Sequence, residues 1–338
     1  MNRLVLLFLI GVFACGQAKE EDSGLKDYSS LNETDLISAM NKINESLRKN
    51  ISADNLYLER SLIFQAGGDL QSAMADIDRA IKLNPKVPSF YIQQGELFLR
   101  MKNFRQAELA FQTAAKLDEE NVSSRLKLSE YYFYARRLQE AMDMANEALR
   151  IDVYNDEAYF LKGLIHQNSG DTALAISSYQ TCVEQNPDYF EAYFQLGILS
   201  AFQKNRLAID YYDNAIRIKP RDVQTYYNKG LISQELGEYN LALKTYTELL
   251  SIDPNYRDAH FAMGYVNMFY LKQYNQASIH FTRAIEVSPD YYQAYYNRGY
   301  CYELLGDVKR AEIDYRNALK IKPDYSLAAE GMSRVTNF

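Results

Sequence analysis

The sequence predicts an all-α protein, a solenoid of stacked helical hairpins. Three observations carry this. Only 15 Gly and 7 Pro punctuate 338 residues, too few for the turns of an all-β fold. A small residue recurs at Ala73, Ala107, Ala141, Ala175, Ala208, Ala242, Ala277 and Ala311, at intervals of 34, 34, 34, 33, 34, 35 and 34. Six of the seven prolines (Pro85, Pro187, Pro220, Pro254, Pro289 and Pro323) occupy one position of that repeat. A unit of this length is a pair of helices that buries its apolar face only against its neighbours.

Composition bounds the function classes. Apolar residues are 47% and charged residues 24%, a globular balance. The net charge of −7 argues against a nucleic-acid surface. Three Cys exclude a disulfide framework, and three His leave little for a metal. No HExxH, glycine-rich phosphate loop or acidic calcium loop occurs. The expectation is a non-enzymatic protein without cofactor or metal. Cys182, Cys301, His166 and His260 read as packed residues, and Glu119-Glu120 as solvated turn charge.

Residues 1–14 read as a signal peptide. Met1-Asn2-Arg3 is followed by an apolar run from Leu4 to Ala14, about 16 Å of helix and roughly half a bilayer core. Val12-Phe13-Ala14-Cys15 resembles the lipobox of bacterial lipoproteins, which implies acylation of Cys15; an ordinary cleaved signal of a secreted protein is the alternative. Residues 15–32 then form a lipidated, polar, flexible tether. Its Lys19-Glu20-Glu21-Asp22 run resembles the surface-export signal of Bacteroidetes lipoproteins. The resemblance implies an outer-membrane lipid anchor, facing the periplasm or the cell surface.

Residues 33–53 form an N-terminal cap. Ala39 lies 34 residues before Ala73, and Leu36, Ile37, Met40, Ile43 and Leu47 make an apolar stripe, so this is the second helix of a half-repeat. Residues 54–325 hold eight repeats. In the first half of each stands Ser61, Gly95, Ser129, Gly163, Gly197, Gly230, Gly264 or Gly299, ten residues after each proline position. Gly197 to Ala208 is one residue short and Gly264 to Ala277 one residue long, so both irregularities are expected in the turn between the helices. The third repeat, with Arg125, Ser129, Ala145 and Val153, is expected to be locally irregular. A bulky side chain at Gly230 or Ala242 should cost about 1–3 kcal/mol. Residues 326–338 form a C-terminal capping helix with Leu327 and Met332 inward.

Tyr226, Lys229-Gly230, Ala242, Tyr246 and Pro254, or Tyr295, Arg298-Gly299, Ala311, Tyr315, Ala318 and Pro323, closely resemble the tetratricopeptide repeat. The resemblance implies a right-handed superhelix whose first helices line a concave groove. Its fifth positions are Leu58, Ile92, Leu126, Phe160, Phe194, Tyr227, Phe261 and Tyr296. Phe202, Tyr265, Phe269 and Tyr300 stand nearby, and Gln195, Asn228 and Asn297 occupy the sixth position. Aromatic rings offer large, rigid contact area and amides offer backbone hydrogen bonds, so this strip suits a peptide or partner protein. Two alternatives stand beside it: a glycan or peptidoglycan fragment stacked on the rings, and rings that satisfy one another without a ligand. The resemblance implies an adaptor for envelope assembly, secretion or cell-wall machinery.

Overall fold

A computed structural model describes residues 28–336. The signal-like run, Cys15 and the tether up to residue 27 lie outside the described residues. Those described form eighteen α-helices and one π-helical turn, with no strand. Among them no helix is long and apolar enough to cross a membrane. Contacts divide the chain into two compact units, Met1–Pro187 and Asp188–Phe338.

The first unit holds the cap α1 (Glu33–Lys49) and four hairpins. These are α2 (Asp54–Ala66) with α3 (Leu70–Leu83), α4 (Pro88–Arg100) with α5 (Phe104–Leu117), α6 (Val122–Tyr134) with α7 (Leu138–Ile151), and α8 (Asp156–Asn168) with α9 (Thr172–Gln185). The second unit holds α10 (Phe190–Phe202) with α11 (Leu207–Ile218), α12 (Val223–Glu235) with α13 (Tyr239–Ile252), α14 (Arg257–Tyr265) continued by the π-turn Val266–Tyr270 and paired with α15 (Tyr274–Val287), and α16 (Tyr292–Leu304) with α17 (Val308–Ile321). The final helix is α18 (Ser326–Thr336). Each unit is an α-solenoid of stacked hairpins.

The repeat residues act as the chemistry of their side chains requires. Pro disfavours helix in the residue before it, and the caps ahead of Pro85, Pro187, Pro254, Pro289 and Pro323 are extended, for example Asn84 at φ −145°, ψ 93°. Three first helices begin on side-chain caps: Asn121 accepts from the Ser124 amide at 2.8 Å, Asn155 from Ala158 at 2.9 Å and Asp222 from Thr225 at 2.9 Å. The small residues at 73, 107, 141, 175, 208, 242, 277 and 311 are all fully buried. In six of the eight hairpins, one ring of the second helix lies over the glycine of the first; Ile77 and Ala145 stand at that position in the first and third. An ideal Cβ on Gly230 falls 2.3 Å from Tyr246 Cε1, and one on Gly163 falls 2.4 Å from Tyr179 Cε1. The helices approach this closely only because those positions lack a side chain.

Every hairpin turns on one residue with positive φ. Four are glycines, Gly68, Gly170, Gly237 and Gly306, and four are cations, Lys102, Arg136, Lys204 and Lys272, at φ 54–62°. Paired backbone bonds close the turn, as in Asn103 N to Phe98 O at 2.8 Å and Lys102 N to Leu99 O at 2.9 Å.

Several expectations need correction. The extra residue between Gly264 and Ala277 is not in the turn. It widens the end of the first helix into the π-turn, with Leu271 N bonded to Val266 O at 3.1 Å. The missing residue near Gly197 shortens the start of α11, whose first bonds tighten to Ala208 N–Asn205 O and Ile209 N–Arg206 O. The third repeat is regular: Arg125, at the usual Tyr position, is buried and donates to the Asp118 carbonyl at 2.7 Å, and Ser129 donates to the Ala141 carbonyl at 2.8 Å. The corresponding Tyr91 and Tyr226 hydroxyls donate to the Pro85 and Pro220 carbonyls, one repeat position further along the same turn. Residues 28–32 are not tether, because Tyr28 is buried in the first core and Asn32 caps α1. In the caps, Ile43 and Leu47 are buried as expected, but Ile37 and Leu327 are exposed, and Ala328, Gly331 and Val335 are the buried residues of the last helix.

Candidate functional site

The first helices of the second unit carry eleven of the twelve groove residues read from the sequence. Their burial sorts them into three groups. Phe194, Gln195, Tyr227, Asn228, Phe261, Tyr265, Tyr296, Asn297 and Tyr300 are half-buried. Phe202 and Phe269 are exposed, at 77% and 52%. Phe160, in the first unit, is 5% exposed and packs on Tyr179 at 5.6 Å, so it is a core residue and not a groove contact.

The fifth-position rings are held by their neighbours. Each faces the buried ring of its own hairpin: Phe194 to Tyr212 at 6.2 Å, Tyr227 to Tyr246 at 6.2 Å, Phe261 to Phe281 at 5.5 Å and Tyr296 to Tyr315 at 5.9 Å. Three also meet the tyrosine that follows the next proline: Tyr227 to Tyr256 at 5.4 Å, Phe261 to Tyr291 at 5.0 Å and Tyr296 to Tyr325 at 5.5 Å. Such tilted and edge contacts add about 0.5–1.5 kcal/mol each beyond area burial. The Tyr291 and Tyr325 phenols are pushed up to about 12 by burial, and that of Tyr227 higher still, so all three stay neutral. The ladder is a structural spine that leaves part of each ring accessible.

The accessible rings gather around the π-turn. Tyr265 and Phe269 lie parallel at 5.4 Å and 9°, Tyr270 meets both edge-on, and Tyr239 stacks on Tyr270 at 4.3 Å. The Lys272 ammonium sits 5.2 Å from the Phe269 ring centre. Asn267, buried inside the turn, donates to the Met263 carbonyl at 2.8 Å. On the last hairpin Tyr296 and Tyr300 are parallel at 6.3 Å, and Arg334 lies 5.8 Å from the Tyr300 ring. The amides are partly engaged: Asn297 Nδ2 donates to the Gln293 carbonyl at 2.9 Å, and Gln224 donates to Asn228 Oδ1 at 2.9 Å. The surface combines flat apolar rings with amide groups.

A second group went unread in the sequence. On the first helices of the first unit, Lys127 pairs with Glu96 at 2.9 Å and Glu130 at 3.3 Å. Beside them the half-buried Glu157 is pushed up to about 7, chiefly by burial; Lys127 opposes the shift while Glu130, Asp156 and Glu96 reinforce it. The three glutamates come from different hairpins, so no local motif announces them. Among the described residues no group of three His, Cys, Asp or Glu is placed to hold a metal ion. Cys182 and Cys301 are both buried, and burial raises the Cys301 thiol to about 12.

Family models described as tetratricopeptide repeat match residues 54–87, 92–156, 156–189, 223–256 and 292–325, together more than half of the chain. The chain belongs to the tetratricopeptide repeat family. That fold is a scaffold for contacts between proteins. A segment of 111 residues is 32% identical to a UDP-N-acetylglucosamine–peptide N-acetylglucosaminyltransferase of Giardia intestinalis, covering 32% of this chain and 7% of that enzyme. Another of 119 residues is 28% identical to the BBSome complex member BBS4 of Bos taurus, covering 34% of this chain and 22% of that protein. The chain thus spans less than a quarter of these curated relatives. The C-terminal part of a tetratricopeptide repeat-containing protein from Cytophaga hutchinsonii superposes with a TM-score of 0.63 at 19% identity, over 71% of this chain and 99% of that one. It shares the fold.

Proposed function

We propose that the chain is a non-enzymatic scaffold that captures an extended segment of a partner protein on the first-helix face of its second unit. One observation carries this reading. Around the π-turn, Tyr265 and Phe269 form a parallel, partly exposed ring pair on a face that also presents Asn228, Asn297, Phe202 and Tyr300. Rings already held by packing lose little freedom when a peptide covers them, so the binding free energy is not spent on ordering.

The same proposal includes export and tethering through an acylated Cys15, which places the scaffold on an outer membrane and its partner in envelope assembly, secretion or cell-wall work. Support for the anchor comes from the lipobox-like Val12-Phe13-Ala14-Cys15 alone.

The test is a comparison of the parent with a Tyr265→Ala, Phe269→Ser, Tyr300→Ala chain, by crosslinking in the native envelope and mass spectrometry. Loss of one crosslinked partner with unchanged far-UV circular dichroism supports the reading; an unchanged crosslink pattern refutes it. Retention of the purified parent on peptidoglycan with no protein present moves the assignment to a glycan-stacking surface. For the anchor, a Cys15→Ala chain still wholly in the membrane fraction counts against acylation.

A further inference from the structure

The turns that join first to second helix hold a pattern that partner capture does not use. A left-handed residue is free of strain when it is glycine, as at Gly68 and Gly170 in the first unit. The two turns between them place Lys102 and Arg136 there, at φ 59° and 62°. Asn is the usual cheap substitute at such a site, so two cations in adjacent hairpins point to a use for the charge. Their neighbours extend the patch. Arg100 and Arg105 flank Lys102, and none of these three has a carboxylate partner among the described residues. Arg136 bonds the neutral Asn168 amide. Glu108 and Glu140, nearby, are both held by Arg137.

Rings stand among these cations. Phe104 is 59% exposed and Tyr134 52% exposed. The two turns are adjacent in space, because the Tyr131 hydroxyl donates to the Phe104 carbonyl at 3.2 Å. The second unit shows the contrast: Phe202 is exposed beside Lys204, but Glu235 takes Lys204 at 2.8 Å and Glu238 takes Arg206 at 2.8 Å. Lys272, beside the exposed Phe269, also has no carboxylate partner among the described residues, but it is the one cation of its turn; two adjacent turns that combine such cations with exposed rings are, among the described residues, a feature of the first unit.

We propose that this turn edge, residues 100–105 and 134–136, docks on an anionic lipid surface. Cations at projecting turns meet phosphate headgroups, and rings beside them enter the boundary between headgroup and acyl chain. A long polyanion fits less well, since the patch spans only two turns and offers no continuous basic track. The proposal does not depend on the groove, nor on acylation of Cys15.

The experiment uses the full chain with Cys15→Ser, so that no acyl group contributes. Vesicle co-sedimentation compares phosphatidylcholine alone with phosphatidylcholine mixed with phosphatidylglycerol. The decisive variant is Lys102→Gly with Arg136→Gly, which relieves the backbone and should unfold at the same or a higher urea concentration than the parent. Its partition onto mixed vesicles is expected to fall about 30-fold, from about fivefold per cation. A Phe104→Ser, Tyr134→Ser chain should also bind more weakly, and salt should weaken the parent. Equal binding of the parent to both vesicle types, or unchanged binding of the glycine pair, overturns the proposal. So does parent binding to duplex DNA or polyglutamate as tight as to mixed vesicles.

Discussion

Replacing Gly230 with alanine is expected to destabilise the second unit although alanine is the better helix former. The added Cβ falls 2.3 Å from Cε1, 2.7 Å from Cζ and 2.8 Å from Cδ1 of Tyr246. Ordinary carbon contacts are about 3.5–4.0 Å, so the ring must retreat by roughly 1 Å. It has nowhere to go: Tyr246 is fully buried, and Tyr227 behind it rests on Tyr256. Overpacking of this kind costs about 1–3 kcal/mol, against a helix-propensity gain of about 1 kcal/mol. The net expectation is a loss of about 1–2 kcal/mol, or a Tm lower by about 2–8 °C. Gly299 is the internal control, since its Cβ meets Asp314 Cβ and Tyr315 Cε1 at 3.1 Å, a conflict that shifts of a few tenths of an ångström relieve. Gly299→Ala should lie within about 1 kcal/mol of the parent, the propensity gain and the contact roughly cancelling. Urea unfolding of both variants, followed by far-UV circular dichroism, measures the difference. Equal stability of the two, or a more stable Gly230→Ala, would refute the claim that the Tyr246 ring sets the helix separation.

Other expectations follow from the charges and hydroxyls. Glu157 has its folded pKa raised from the ordinary carboxylate range to about 7, so folding takes up a proton between roughly pH 4.5 and 7, and stability should fall as pH rises through that window and level off above it. Glu157→Gln should abolish that slope and gain about 1–2 kcal/mol at pH 8, seen in urea unfolding at several pH values. Arg298 clasps the buried Asp314 through two bonds of 2.8 Å, and Arg298→Ala should cost about 3 kcal/mol by leaving that carboxylate unpaired, read as earlier thermal unfolding. Tyr246 carries a buried hydroxyl with no hydrogen-bond partner among the described residues, whereas Tyr179 donates to Gln167 Oε1 at 2.7 Å. Tyr246→Phe should therefore be neutral or stabilising and Tyr179→Phe should cost about 1 kcal/mol, a contrast that calorimetry resolves.

The hairpins were legible because Ala, Gly and Pro recur for steric reasons that any sequence must obey at those positions. Locating the insertion was not possible by counting. The interval from Gly264 to Ala277 registers an extra residue without saying where it sits, and a π-turn absorbs it while keeping Phe281 over Gly264. The third repeat looked irregular because Arg125 is chemically unlike tyrosine, yet each sends a donor to a carbonyl of the turn ahead of its helix, Arg125 to Asp118 and Tyr226 to Pro220. Left-handed turns at Lys102 and Arg136 are backbone properties that residue type disguises. The sequence assigned each of the groove rings to its helix but did not show which faces stay exposed. Phe160 was lost to the core because Tyr179 covers it, while Phe269 is exposed where the widened turn carries it outward.

In the second unit three of the four fifth-position rings are completed by a tyrosine that lies one hairpin further along the chain: Tyr256 for Tyr227, Tyr291 for Phe261, Tyr325 for Tyr296. Such an array grows readily by duplication, since every new copy arrives with the ring its predecessor lacks. Ending one is harder, because a cut after any hairpin strands an aromatic edge in water. Tyr325 and the short helix behind it, whose Gly331 seats against Tyr315, supply that ring and cover for the eighth copy.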